Sequence, residues 1–211
     1  MTESTDLKSL ERKAYRSIFE DGLWDLFIGL IILSLGLSTF LSSILNLDDL
    51  WIAVIPTLIL NISAFLIFYL GKKFITIPRL GIVKFGPKRK SKQQKLRIIL
   101  FAFFILNIVL LILPFTNLVN SIEFEPLIMA LILGLGAITL PFVVVAYFLD
   151  FTRLYIYAIL AGLGFFFTEL LYPIVGTPLD ILLPFGITGG VIVAIGVYLF
   201  IRFLKNYQLT K

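Results

Sequence analysis

The fold of this chain is decided by residues 88–118, which read KRKSKQQKLRIILFAFFILNIVLLILPFTNL. A cluster of cations is followed here by a largely apolar run from Ile98 to about Leu118. Such a run is long enough to cross a bilayer, because about 20 apolar residues in a helix span the ~30 Å hydrocarbon core. The cations resist transfer through the membrane and are expected to stay on its cytoplasmic side. The stretch therefore predicts both a membrane-spanning helix and its direction.

Composition places the whole chain in the same class. Of its 211 residues, 59% are hydrophobic and only 15% are charged, which excludes an ordinary soluble domain. The sequence predicts an all-α membrane protein, a bundle of six transmembrane helices. The predicted spans cover about 23–45, 50–70, 98–118, 127–149, 153–172 and 181–201. They form one transmembrane domain, residues 22–205, which a short tail, 206–211, follows.

The charges between the predicted spans alternate in sign. All 18 Lys and Arg residues fall in the N-terminal segment, the loop 72–97, the turn 150–153 and the tail from residue 202. The other three gaps carry acids instead, namely Asp48, Asp49, Glu123, Glu125 and Asp180. Because cations are retained on the cytoplasmic side, the pattern predicts that both termini are cytoplasmic. It indicates a multi-pass protein of the cell membrane, inner or plasma.

Residues 1–21 are predicted to form a separate element. Apolar residues recur there at three- and four-residue spacing, at Leu7, Leu10, Ala14 and Ile18, and cations fill the intervening faces. This periodicity favours an amphipathic helix that lies on the inner leaflet. The alternative is a frayed, solvated tail.

The loop 72–97 has two halves with different patterns. In the first half, residues 74–85 are β-prone on either side of Pro78 and Gly81, which predicts a small cytoplasmic hairpin. The second half is a basic cluster next to a span. Its candidate binding residues, taken with the preceding lysine, are Lys84, Lys88, Arg89, Lys90, Lys92, Lys95 and Arg97. Such clusters attract anionic headgroups at about 1 kcal/mol per cation. A plain topology determinant and a surface for a protein partner are the alternatives.

Three polar residues lie inside predicted spans. Asn61 and Asn107 sit near the middle of the second and third spans, and Glu169 lies about one turn from the outer end of the fifth. A polar group in hydrocarbon needs a partner, so hydrogen bonding between helices is one interpretation of the two amides. The other is a polar lining for a substrate or ion, which an intramembrane acid such as Glu169 also suggests.

Asp21 and Asp25 flank the cytoplasmic mouth of the first span. Acids are favoured at a helix N-terminus by the helix dipole, and Asp21 is the expected N-cap. Asp25 lies one turn deeper and is a candidate for an ion pair with Arg79 or Arg153.

Glycine and proline mark positions where spans pack closely or bend. Gly186 and Gly190 form a pair of small residues four positions apart, a spacing typical of tight helix packing in membranes. Pro56 and Pro141 fall inside spans and predict a kink or locally freed carbonyl groups.

The composition also restricts chemistry. The sequence contains no His and no Cys, which excludes imidazole metal sites, thiolate chemistry and His-dependent catalysis. No cofactor or metal site is predicted. No nucleic-acid partner is predicted either, since the membrane topology explains the basic residues.

Two short segments carry a resemblance. Residues 21–25, DGLWD, and residues 78–84, PRLGIVK, are similar to stretches of uncharacterised prokaryotic multispan membrane proteins. The resemblance implies a bacterial or archaeal membrane protein with helical spans, and it implies no activity.

The leading hypothesis is therefore a non-enzymatic accessory or interaction subunit. Its basic cytoplasmic face would engage anionic lipid or a protein partner, and a homo-oligomer is also open. The alternative is a small transporter or ion pathway with a polar site at Asn61, Asn107 and Glu169.

Overall fold

The computed structural model describes residues 18–45, 50–81, 87–112 and 125–207. This part of the chain is 91% helical and contains no strand, so its all-α class is as predicted. Its α-helical segments are α1 (Leu23–Ile44), α2 (Leu50–Leu70), α3 (Ile77–Leu80), α4 (Pro87–Ile112), α5 (Pro126–Leu133), α6 (Leu140–Leu149), α7 (Arg153–Val175) and α8 (Leu179–Asn206). Two π-helical turns are also present. The turn π1 (Gly71–Thr76) joins α2 to α3, and π2 (Gly134–Thr139) joins α5 to α6.

Five described stretches of helix are long and apolar enough to cross a membrane. They are Leu23–Ile44, Val54–Leu80, Pro126–Leu149, Arg153–Val175 and Leu179–Asn206, and they coincide with five of the six predicted spans. The predicted span 98–118 is not among them. Its residues up to 112 belong to α4, whereas residues 113–118 lie outside the described chain, as does the predicted surface helix up to residue 17.

The hairpin predicted over residues 74–85 is wrong for the part that the structure describes. Helix α2 continues through π1 into α3, so residues 74–80 are helical and the second helix extends ten residues beyond its predicted end at Leu70. The helix ends at Gly81, which has a φ of 74° and donates its amide to the carbonyl of Ile77 at 2.9 Å. The β-prone residues before Gly81 thus continue an apolar helix, because tertiary context outweighs their local propensity. Residues 82–85 lie outside the described chain.

Each π-helical turn is followed, one residue later, by a proline. Pro78 follows π1 and Pro141 follows π2, each as the second residue of the next α-helical segment. Proline has no N–H group, and its ring collides with the carbonyl four residues earlier in an α-helix. A π-helical turn bonds to the fifth residue back, which relieves this conflict. The disturbance predicted at Pro141 takes the form of this widened turn.

The described residues fall into two compact units. The first unit combines residues up to 81 with residues from 175 onward, and the second consists of residues between 87 and 174. The first unit therefore joins the beginning and the end of the described sequence through α1, α2 and α8.

Helices α1 and α8 run antiparallel and touch through their backbones. Glycines seven residues apart face the contact, namely Gly22, Gly29 and Gly36 on one side and Gly189 and Gly196 on the other. A Cβ added to Gly29 would lie 2.8 Å from the backbone nitrogen of Val193. Seven residues are about two helical turns, so this spacing keeps the glycines on one face. Close backbone approach at small residues is a usual way for membrane helices to associate.

Of the glycine pair predicted from the sequence, Gly186 takes part in this contact and Gly190 does not, since a Cβ on Gly36 would lie 3.4 Å from the backbone nitrogen of Gly186. A Cβ on Gly190 would meet no described atom within 4 Å, and one on Gly186 would meet the side chain of Leu182 in its own helix. A Cβ on Gly189 would instead lie 2.5 Å from the backbone nitrogen of Leu33. The packed face of α8 thus includes Gly186, Gly189 and Gly196, whereas Gly190 lies outside it.

Helix α2 also runs antiparallel to α1. Leu23 at the start of α1 packs against Gly71. The Ser34 hydroxyl, which donates to the carbonyl of Ile31 at 2.7 Å, lies 3.3 Å from the side-chain oxygen of Asn61. Because α1 is antiparallel to both α2 and α8, the start of α1, π1 and the end of α8 lie together. We call this end of the first unit its charged end, after Asp21, Asp25 and Lys72.

The second unit contains a close crossing of π2 and α7. Gly134 and Gly162 approach each other there so closely that a Cβ added to either one would collide with the carbonyl oxygen of the other. Thr139 donates its hydroxyl to the carbonyl of Ala158 at 3.0 Å, and the carbonyl of Gly134 lies 3.3 Å from the same hydroxyl oxygen. The hydroxyl therefore satisfies a carbonyl group at a site where the π-helical turn changes the normal bonding.

Candidate functional site

The charged end of the first unit holds a buried cluster around Asp21. Lys72 Nζ and Thr76 Oγ1 each lie 2.6 Å from Asp21 Oδ2, and the amide of Leu23 donates to Asp21 Oδ1 at 3.2 Å. Lys72 also donates to the carbonyl of Ile18 at 2.7 Å. Asp21 is 0% exposed, so its charge is removed from solvent and stabilised by these three donors. We call Asp21, Lys72 and Thr76 the Asp21 cluster.

Local structure brings the Asp21 cluster together. Lys72 and Thr76 lie four residues apart in π1, so both can reach one carboxylate. Asp21 precedes Gly22, whose φ of 74° turns the chain into α1. Gly22 also lies against the backbone of α8, where a side chain would collide with Gly196. The turn before α1 is thereby held against both neighbouring helices.

Aromatic side chains cover the Asp21 cluster on one side. The Trp24 and Phe68 rings are 4.7 Å apart, and the Phe19 and Trp24 rings are 5.8 Å apart. The Lys72 ammonium lies 5.9 Å from the centre of the Phe68 ring, within range of a cation–π interaction. Apolar cover strengthens the ion pair and raises the penalty for leaving either charge alone.

Asp25 is fully buried in the first turn of α1, and its predicted pairing with Arg79 or Arg153 stays a prediction. Arg79 donates to the carbonyl of Tyr207 at 2.9 Å and to that of Ile75 at 3.1 Å. Arg79 thus binds a carbonyl at the C-terminal end of α8, where cations complement the helix dipole. The Arg153 guanidinium lies over the Phe151 ring at 5.2 Å.

In the second unit, the basic cluster divides between paired and exposed cations. Arg89 lies 2.9 Å and Lys92 3.7 Å from Asp150 Oδ2. Leu96, on the same face of α4 as these two cations, is buried. Asp150 ends α6 in a left-handed conformation, with a φ of 55°. This face of α4 therefore serves packing within the second unit.

The remaining described cations of α4 are exposed. They are Lys90, Lys95 and Arg97, which we call the basic surface. Lys90 and Arg97 are seven residues apart and share a face of the helix. Directly after Arg97, α4 exposes large apolar side chains, with Ile98 63% and Phe101 65% exposed. Lys84 and the side chain of Lys88 lie outside the described part.

The polar residues predicted inside spans bond mainly within their own helices. The Asn61 amide donates to the carbonyl of Thr57, and the Asn107 amide donates to that of Phe103, both at 2.9 Å. The side-chain oxygen of Asn61 also lies 3.3 Å from the Ser34 hydroxyl of α1. Glu169 is half-buried in α7. The site shared by Asn61, Asn107 and Glu169 stays a prediction.

The described residues contain no group of three or more His, Cys, Asp or Glu side chains placed to hold a metal ion. Asp21, at the charged end, is instead paired with the Lys72 ammonium group. The arrangement is suited to joining helices and to presenting cations.

Sequence reasoning identified Asp21 but missed its partners. The prediction that Asp21 is the N-cap of α1 is wrong, because Gly22 occupies the N-cap position. Asp21 lies one residue earlier and accepts a hydrogen bond from the amide of Leu23. Lys72 falls within the predicted loop 72–97, beyond the predicted end of the second span at Leu70. The available signal was the spacing of Lys72 and Thr76, which puts a cation and a hydroxyl on one helix face.

The sequence was compared with protein families, with curated proteins and with solved structures, and no match was found in any of the three.

Proposed function

We propose that this chain is a non-enzymatic, multi-pass membrane protein that binds anionic lipid headgroups through the basic surface of α4. In this proposal it has six spans, with 98–118 as the third, and both termini and the basic surface are cytoplasmic. The chain would act as an accessory or interaction subunit of the cell membrane.

One observation carries the proposal. Lys90, Lys95 and Arg97 are exposed at the point where α4 changes from a cationic to an apolar surface. Cations at the end of an apolar helix lie at the depth of lipid phosphates, and each contributes about 1 kcal/mol of attraction to an anionic membrane surface. Arg89 and Lys92 contribute less to headgroup binding, because Asp150 partly neutralises them.

The transporter alternative has weaker support. Asn61 and Asn107 each donate to a carbonyl four residues earlier in the same helix, which satisfies part of their hydrogen-bonding capacity. We therefore retain the site at Asn61, Asn107 and Glu169 only as the second hypothesis.

The basic surface can be tested by charge removal. We expect the variant with Lys90→Gln, Lys95→Gln and Arg97→Gln to lose preference for phosphatidylglycerol over phosphatidylcholine. Each removed cation should lower that preference up to about fivefold, the equivalent of 1 kcal/mol. The measurement is native mass spectrometry of lipids retained by protein released from mixed-lipid nanodiscs.

A charge-preserving variant is the matched control for this experiment. With Lys90→Arg, Lys95→Arg and Arg97→Lys the lipid preference should remain close to that of the wild type. An unchanged preference in the glutamine variant would contradict the proposal. If that variant instead lost a co-purifying protein, the surface would bind a partner subunit.

A further inference from the structure

The charged end of the first unit presents a second set of exposed cations, which the basic surface of α4 does not include. Lys73, Arg202 and Lys205 are exposed there, whereas Lys72 and Arg79 are engaged by Asp21 and by backbone carbonyls. The exposed acid of this end within the described residues is Glu20, so the exposed cations exceed the exposed acids.

Two of these cations belong to a repeated arrangement. An exposed tyrosine precedes an exposed cation by four residues in two places, as Tyr69 at the end of α2 before Lys73 in π1, and as Tyr198 before Arg202 in α8. Both helices run antiparallel to α1, so the two pairs point toward the same end of the unit. Four residues are about 6 Å along a helix, which places each phenol about one turn inside its cation.

The outer surface of α8 changes along the chain in the order of the layers of a bilayer. Exposed aliphatic residues, Val191 and Ile195, come first, Tyr198 follows, and the cations Arg202 and Lys205 come last. In the other helix, exposed Ile62 and Leu66 precede Tyr69 and Lys73, and the exposed apolar residues Phe74 and Ile77 follow the lysine. Tyrosine is enriched at headgroup level, and cations lie further out near the phosphates.

Lys73 shows how this surface is organised. Its ammonium lies 5.8 Å from the centre of the Tyr69 ring and 5.5 Å from that of the Phe74 ring. Both rings are largely exposed, so the lysine lies along the outside of the helix among amphipathic and apolar groups. A lysine in this position keeps its stem on apolar surface and its charge at the water boundary.

We propose that the charged end of the first unit is a second binding site for anionic phospholipid headgroups. In this site Lys73, Arg202 and Lys205 attract the phosphate, and the hydroxyl groups of Tyr69 and Tyr198 donate hydrogen bonds to it from the apolar side. The site extends the proposed function to the other unit and does not depend on the basic surface of α4.

The test uses three variants of the full chain in mixed phosphatidylglycerol and phosphatidylcholine nanodiscs. Lys73→Gln, Arg202→Gln and Lys205→Gln together should lower the phosphatidylglycerol preference up to about fivefold per cation removed. Exchange of lysine for arginine and of arginine for lysine at the same positions should preserve the preference. Tyr69→Phe with Tyr198→Phe should lower it about threefold, as expected for lost hydrogen bonds.

A second measurement needs no variant. A photoreactive phosphatidylglycerol analogue should label peptides that contain residues 69–73 and 198–202 of the wild-type protein. Unchanged lipid preference in the glutamine variant, or no labelling of these peptides, would overturn the proposal. If glutamine at 73, 202 and 205 did not lower the phosphatidylglycerol preference, whereas glutamine at 90, 95 and 97 did, this second site would be rejected and the proposed function would stand.

Discussion

Replacement of Gly189 by alanine should destabilise the first unit by about 1–3 kcal/mol, toward the upper end of that range. The added Cβ would lie 2.5 Å from the backbone nitrogen and 2.7 Å from the Cα of Leu33, and a helix backbone cannot move aside as a flexible side chain can. Helices α1 and α8 would have to separate along their glycine contact. Thermal unfolding in detergent or nanodiscs, followed by circular dichroism, measures the effect.

Gly190→Ala is the matched control, since it makes the same chemical change one residue along the same helix. A Cβ at Gly190 meets no described atom within 4 Å. Alanine is also favoured over glycine inside a helix by about 0.5–1 kcal/mol. The control variant should therefore be as stable as the wild type or slightly more stable. Equal destabilisation by both substitutions would contradict the antiparallel contact of α1 and α8.

Lys72→Met should destabilise the first unit by about 3–5 kcal/mol, the usual effect of removing one partner of a buried ion pair. The substitution leaves Asp21, which is 0% exposed, with hydrogen bonds from Thr76 and Leu23 but without its cation. Asp21→Leu should have a smaller effect, because the Lys72 side chain is 16% exposed and its ammonium can still reach water. Unfolding midpoints of both variants test this order.

The double variant distinguishes the loss of the ion pair from the loss of side-chain packing. Asp21→Leu combined with Lys72→Met removes both charges, and it should be more stable than the Lys72→Met variant alone. Lys73→Met is the control, because its exposed ammonium lies over aromatic rings and should contribute less than about 1 kcal/mol. If the effect of Lys72→Met did not exceed that of Lys73→Met, the Asp21 cluster would not hold π1 against α1.

Hydropathy predicted where several of the helices begin, because a change from polar to apolar residues can be seen along the chain itself. The predicted starts at residues 23, 127 and 153 lie within one residue of helices that begin at Leu23, Pro126 and Arg153. The end of the second helix was misjudged for a specific reason. Lys72 appeared to mark the edge of the membrane, whereas Asp21, from a different part of the sequence, neutralises it inside the bundle.

Tertiary contacts could not be predicted in the same way. Gly189 and Gly190 are adjacent in sequence but lie about 100° apart around the helix axis, and only the rotation of α8 against α1 decides which one is packed. The basic cluster shows the same limit. The sequence alone does not distinguish Arg89 from Lys90. In the structure, Asp150 at the end of α6 forms an ion pair with Arg89, whereas Lys90 is exposed.

The side of the membrane that each charged region occupies is the central claim of this account, and cysteine labelling tests it most directly. The chain contains no Cys, so Lys90→Cys, Lys205→Cys and Glu125→Cys each introduce a single reactive site. With a membrane-impermeant maleimide, we expect the sites at 90 and 205 to react only from the cytoplasmic side and the site at 125 only from the opposite side. Labelling of 90 and 125 from the same side would contradict the proposed topology and, with it, the proposed contact of the basic surface with cytoplasmic headgroups.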